Sequence, residues 1–388
     1  MKLGGSNLLK LITKQYKSAF TPTSLKLRRV KLALPAFTIV ELLVVIVVIG
    51  ILAAITVVSY SGMTNRAVIA NAQSDLSNAS KKLKLYQLEN DTYPIDKAAA
   101  INAKLIPNSD NYSYYVDNTT NPKTFCISYI NLDNNIAYSI NQDGSPIPAP
   151  YCPVLYLDAS NPKSYPGSGT TWYDLSGYGN DGTVSNSEFM LLGDASYLRN
   201  IDNLSNFFSV AVPDSLSINN AFSAVTGGWT IEETVWTNST IYPEADAGSV
   251  ASNSASGTSS SVTGFDWNHG MQSNKFRFGL TSVGGNTYDD DIQFVVPTPY
   301  DTLNTWKTRT LIWDRSNNRV ELYINGTYIN QANTPNVAGQ SIYDGGGIKF
   351  GELYGWKHYG RRSIIKIYNK ILSVDEIVND YQLISSRY

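Results

Sequence analysis

Residues 42–65 carry no charged side chain, and the stretch LPAFTIVELLVVIVVIGILAAI at 34–55 holds a single carboxylate, Glu41. A helix of about 20 such residues, rising 1.5 Å per residue, spans the hydrocarbon of a bilayer. The eleven Val, Leu and Ile residues between 42 and 55 each favour insertion by about 0.3–0.6 kcal/mol, which outweighs a carboxylate that costs about 2.5–3.5 kcal/mol only at mid-membrane. An acid near the end of such a segment still needs a partner. Residues 1–36 contain eight basic side chains and no acid. Basic flanks stay cytoplasmic, so the large regions after the helix are expected to be exported. A secretory signal is cut at small residues after its apolar stretch. Here the one small-residue junction that follows basic charge comes before the stretch, at Pro35-Ala36-Phe37.

The string AFTIVELLVVIVVIGILAAI resembles the class III signal of type IV pilins and pseudopilins. The resemblance implies that a prepilin peptidase cuts between Ala36 and Phe37 and that the new amine of Phe37 is N-methylated. It also implies that Glu41 pairs with the Phe37 amine of a neighbouring subunit while an inner-membrane platform assembles the fibre. Phe37 and Glu41 stand four apart, on one helix face, and pairing neutralises two charges that are costly alone in an apolar bundle. Two positions depart from the family pattern: Ala36 stands where glycine is usual, and Val58 where a proline is common, although Gly50 is present.

Without 1–36 the chain holds 22 basic against 32 acidic side chains, a net charge of −10. An acidic surface gains nothing from counterion release, so generic nucleic-acid binding is not expected. Composition of 43% hydrophobic and 16% charged residues, with 26 Tyr and 28 Gly, leans toward an extracytoplasmic β-rich protein. With two cysteines and two histidines, no zinc-like cluster forms without carboxylates. The cysteines, Cys126 and Cys152, lie beyond the membrane segment and read as one disulfide, worth about 3.5 kcal/mol in the chain-entropy model.

Ile69, Ala72, Leu76, Ala79, Leu83 and Tyr86 recur at the spacing of an amphipathic helix that continues from the membrane segment and ends near Glu89–Pro94 at NDTYP. NYSYYV, TFCISYI and NIAYSINQDG read as strands. GSPIPAPYCPV reads as a stiff linker and domain boundary. The expected division is 1–36 leader, 37–62 transmembrane and assembly half of the helix, 63–152 pilin globular domain, and 153–388 a separate β domain.

In 153–388, Val320, Leu322 and Ile324 alternate with polar partners before Asn325-Gly326, the preferred type I′ hairpin turn. Ser373 with Glu376 three residues later reads as a capping box. TWYDLSGYGNDGTV, FFSVAVPDSLSI, GWTIEETVW, TWKTRTLIWD, VELYINGTYI and IKIYNKILSVDEI, in that order, resemble the laminin G-like and concanavalin A-like lectin domains. That resemblance implies two antiparallel sheets of about a dozen strands, which bind glycans or proteins, often with calcium at the rim. Asp289, Asp290 and Asp291 are candidate oxygen ligands for Ca2+. Trp267 and His269, and Tyr354, Trp356 and Tyr359, are candidates to contact a sugar face. The family's glycosidases need two carboxylates about 5–5.5 Å apart; EADAGS at 244–249 lacks the second Glu, so no enzyme is expected. Residues 246–264 read as a mobile Ser/Ala/Gly-rich insertion.

The expected fold is therefore an α+β pilin followed by an all-β concanavalin A-like sandwich. The expected role is that of a minor or tip subunit of a type IV pilus or related fibre. It is anchored by one membrane pass before assembly, and it adheres afterwards to a glycan or protein on another cell. The alternatives are a pseudopilin of a secretion or DNA-uptake machine and a membrane-anchored carbohydrate-active enzyme.

Overall fold

The computed structural model describes residues 39–119, 121–185, 187–192, 195–200, 209–213, 227–237, 249–252, 264–270, 275–281, 290–300, 304–338, 347–351 and 360–388. Two compact units divide after Ser61. Helix α1, Ile39–Asn90, contributes to both.

In the first unit the side chains from Ile39 to Ile55 are all exposed, Glu41 in the first turn among them. Among the described residues no helix is long and apolar enough to cross a membrane. In this unit the described side chains of the apolar stretch run from 39 to 55, about 25 Å of helix, and those of 56–62 lie outside the description.

The second unit begins with the remainder of α1. Ala72, Leu76, Ala79 and Leu83 are buried against Phe125, Ile127, Tyr129, Ile136 and Ile140. Each Leu there contributes about 1.5–3 kcal/mol by burial. Asp91 takes φ 57° just past the helix end, the left-handed position at which helices commonly stop. After a short helix α2, Lys97–Asn102, come β1 Tyr112–Asp117, β2 Thr124–Asn131 and β3 Ile136–Asn141, a three-stranded antiparallel sheet in that order.

The strands that follow are β4 Leu155–Asp158, β5 Thr171–Trp172, β6 Gly182–Ser185, β7 Ser187–Met190, β8 Tyr197–Asn200 and β9 Ser209–Val212. Next come β10 Gly228–Thr237, β11 Ser249–Ser252, β12 Gly264–Gly270, β13 Lys275–Thr281 and β14 Asp290–Val295. The last are β15 Trp306–Asp314, β16 Arg319–Ile324, β17 Thr327–Asn333, β18 Ile348–Gly351 and β19 Gly360–Tyr368, before helix α3, Val374–Ser385. They form two eight-stranded antiparallel sheets. One runs β17-β16-β15-β10-β19-β8-β7, with β4 also on β19; the other runs β14-β13-β12-β11-β18-β9-β6-β5. Trp229, Ile231, Leu311, Trp313, Val320, Leu322 and Ile365 from the first sheet meet Val210, Phe276, Phe278, Phe294 and Phe350 from the second in one core. This is a β-sandwich, with more strands than the dozen expected.

The Asn325-Gly326 turn has both residues at positive φ, 53° and 72°, as type I′ geometry requires. The Ser373/Glu376 capping box is formed. Gly228 has no room for a side chain: a Cβ there would stand 2.2 Å from the Trp313 carbonyl oxygen and 2.8 Å from Ile371 Cγ1. Gly228→Ala is therefore expected to lower stability by about 1–3 kcal/mol, read as a shift in the urea midpoint.

In the Pro-rich segment, expected as a stiff linker, Ala149, Tyr151 and Val154 are buried. Tyr151 packs with Ile312, Tyr323 and Tyr368 of the sandwich and with Ile130 of the small sheet. Tyr151 and Cys152 both take positive φ, 58° and 52°, a cost of about 1–2 kcal/mol each. Their N–H groups donate to Ser128 Oγ (2.9 Å) and Ser139 Oγ (3.2 Å), and Cys152 is bonded to Cys126. Three anchors at one turn hold a backbone that two side chains disfavour. One expectation fails here, that of a mobile Ser/Ala/Gly-rich stretch. Part of it, β11, is a central strand paired with both β12 and β18.

Candidate functional site

The sequence of β19, Ser-Ile-Ile-Lys-Ile-Tyr, puts a lysine in an apolar run. Both faces of this strand are covered: Ile365 and Ile367 enter the sandwich core, and Ile364 and Tyr368 pack under α3 and the C-terminal residues. Lys366 lies on the α3 side and is 1% exposed. The antiparallel register sets Glu232 of β10 directly beside it, and α3 brings Asp380 over it. Lys366 Nζ donates to Glu232 Oε1 at 3.0 Å and is in contact with Asp380 Oδ1. The Tyr368 hydroxyl donates to Asp380 Oδ2 at 2.6 Å, and Thr310 Oγ1 donates to Glu232 Oε2 at 3.3 Å. Glu232 and Asp380 are fully buried.

The network continues to the surface. Tyr156, whose ring lies 5.6 Å from Lys366 Nζ, donates through its hydroxyl to Asp158 Oδ2 at 3.1 Å, and Arg387 donates to the same oxygen at 2.8 Å. These residues floor a cavity of about 450 Å³ between the sandwich and the small sheet. Its other wall is Ile69 of α1, Tyr138 of β3, Pro148 and Pro150.

Burial, with the charge of Asp380, raises the Glu232 carboxyl to about 7. Burial pulls Lys366 down, but Asp380 and Glu232 outweigh it and hold the ammonium above the usual lysine range. Burial and Asp380 push the Tyr368 phenol well up. With Glu232 protonated, the charges of Lys366, Asp380, Asp158 and Arg387 sum to zero. Between pH 4.5, the ordinary carboxyl value, and about 7, the native chain keeps a proton that the unfolded chain has released. This contribution to stability is full below pH 4.5 and falls as pH rises through that window. Urea titrations from pH 5 to 8 are expected to show a decline of about 1–3 kcal/mol, at 1.4 kcal/mol per unit. The decline should be flattened in Glu232→Gln.

A second buried cluster faces the sandwich interior. Glu233 accepts from Arg362 Nε at 3.1 Å and lies 3.7 Å from Arg309 Nη1. Glu-Glu in the middle of WTIEETVW and the lysine of SIIKIY were the available signs of both clusters, as charges inside strands otherwise built for burial.

Most of the candidates named from sequence, or their side chains, lie outside the described residues. Trp267 and His269 lie on β12, and Asp290 and Asp291 open β14. The side chains of all four lie outside the description, as do Asp289, Tyr354, Trp356, Tyr359 and most of EADAGS. Ala36 and Phe37 are also outside it. Among the described residues no group of three or more His, Cys, Asp or Glu is placed to hold a metal. Cys126 and Cys152 are disulfide-bonded.

No family model matches the chain, and no curated protein sequence matches it. Solved structures similar to it include the binding domain of botulinum neurotoxin DC in complex with SialylT. That structure is 16% identical, with a TM-score of 0.43, covering 61% of this chain and 52% of that one. The botulinum neurotoxin type G receptor binding domain is 16% identical at TM-score 0.40, with 59% and 50% covered. The binding domain of Paraclostridial mosquitocidal protein 1 is 16% identical at 0.42, with 59% and 51% covered. The match spans about half the length of each. The fold rests on the sheets and core described above.

Proposed function

We propose that the chain is a pilin-like subunit that carries a lectin-like β-sandwich to the cell surface for adhesion. In this reading 1–36 is a cytoplasmic leader removed between Ala36 and Phe37. Residues 37–62 hold the subunit in the membrane and then in the fibre, 63–152 form the pilin part, and 153–388 the displayed sandwich. The observation that carries it is α1: the side chains from Ile39 to Ile55 are exposed, while Ala72 to Leu83 are packed on a small sheet. A bare apolar helix of that length needs lipid or other helices around it, and in the fibre the Phe37 amine of a neighbour stands beside Glu41. The ligand is a glycan or protein on another cell. Trp267, His269, Tyr354, Trp356 and Tyr359 are its candidate contacts, and Asp289–Asp291 the candidate Ca2+ ligands.

Immunogold labelling of whole cells with antibodies to the sandwich tests this. Label along or at the tip of long fibres is expected. Label confined to the envelope would favour a secretion or uptake pseudopilus instead. Glycan-array binding with and without a calcium chelator then tests the ligand and the metal.

A further inference from the structure

We propose that Lys366 and Asp380 are joined by an intramolecular isopeptide bond that the folded chain forms by itself, with Glu232 moving the proton. This inference does not depend on the fibre reading. It rests on the convergence of four groups at one buried point. The nucleophile is Lys366 Nζ, on the central strand β19. The electrophile is the carboxyl of Asp380 on α3, with Oδ1 in contact with Nζ and Oδ2 held at 2.6 Å by the Tyr368 hydroxyl. The acid/base is Glu232, 3.0 Å from Nζ and itself fixed by Thr310. All three charged side chains are at most 1% exposed, and Ile364 and Ile384 pack beside them.

The step balances without any co-reactant. With one proton on Glu232 the trio holds an ammonium, a carboxylate and a carboxylic acid. Nζ passes one proton to Asp380, giving an amine and a second carboxylic acid. The amine lone pair then forms the Nζ–Cγ bond, and the Tyr368 hydroxyl stabilises the developing oxyanion on Oδ2. Glu232 accepts a further proton from nitrogen and delivers its own to the departing Oδ1 hydroxyl. The Cγ–Oδ1 bond breaks, one water leaves, and Glu232 ends as it began. The adjoining cavity, which Lys366 and Asp380 both line, gives that water an exit.

Two physical terms favour the reaction here over the same groups in solution. Fixing the amine against the carboxyl replaces a bimolecular encounter, and effective molarities for well-placed groups reach about 10⁵–10⁸ M. The product also replaces two buried ions, each carrying a desolvation penalty, with a neutral amide. Asp380 is preferred to Glu232 as the electrophile because its second oxygen is held by a phenol and Glu232's by a longer threonine contact. The bond would tie the last helix to the centre of the sandwich.

Mass spectrometry of the purified full chain tests the proposal. The intact mass is expected to be one water lighter than the disulfide-bonded sequence. Tandem spectra of a proteolytic digest should show the Lys366 and Asp380 peptides as one branched species. Glu232→Gln should restore the full mass and separate the two peptides, with a near-UV circular dichroism spectrum like that of the parent. A parent chain of full mass with separate Lys366 and Asp380 peptides overturns the proposal. So does a water loss mapped elsewhere, including a bond from Lys366 to Glu232. Persistence of the branched peptide in Glu232→Gln overturns the role given to Glu232.

Discussion

Measured against a parent in which Lys366 and Asp380 are not joined, Lys366→Ala is expected to lower the stability of the β-sandwich by about 3–5 kcal/mol, the cost of removing one partner from a buried charge cluster. The substitution deletes the cation between Glu232 and Asp380, both fully buried, and leaves two acids without it. Hydrogen bonds from Thr310 and Tyr368 cannot replace a positive charge. The triple variant Glu232→Gln/Lys366→Met/Asp380→Asn, which removes all three charges at similar volume, is expected to lose much less. Replacing a whole buried cluster by neutral groups is often nearly free. Urea unfolding of both variants at pH 7 measures the contrast. A loss for Lys366→Ala below about 1 kcal/mol, the range of exposed pairs, would mean that the cluster is hydrated and contributes little.

Glu41→Ala is expected to cut the amount of the chain recovered in sheared surface fibres by about tenfold or more, with the membrane-fraction level unchanged. The carboxylate stands in the first turn of α1, in the one place where the exposed apolar segment carries a charge. In the proposed fibre each Phe37 amine is buried beside a neighbour's Glu41. Removing the acid leaves that amine uncompensated, and 1.4 kcal/mol is already a factor of ten in an equilibrium. Quantitative immunoblotting of sheared and membrane fractions reads the effect. Equal recovery of Glu41→Ala in fibres would show that the pairing does not drive assembly.

What could be read from the sequence was local. Ile69 to Leu83 marked the helix face by its 3.6-residue period. Asn325-Gly326 marked the hairpin because few residues accept two positive φ values in succession. Ser373 and Glu376 marked the start of α3, and two cysteines allowed one pairing. The rest depends on partners far away in the chain. Ser249–Ser252 has no strand-like composition, and its pairing comes from β12 and β18, in keeping with strand preference being set largely by neighbours. The burial of Tyr151 in the Pro-rich segment comes from Ile312, Tyr323 and Tyr368, distant in sequence. The Glu232–Lys366–Asp380 cluster needed strands 134 residues apart to be placed in register before its chemistry could be seen. The isolated lysine in SIIKIY was the available clue, since a charge inside a run buried on both faces requires a partner.

The most direct test of the fibre account is the mass of the amino terminus in native material sheared from the cell surface. The account predicts a chain that begins at Phe37 with a methylated amine, free of the basic leader. A chain that still begins at Met1 would contradict it, because the Phe37 amine of the proposed pairing would not exist.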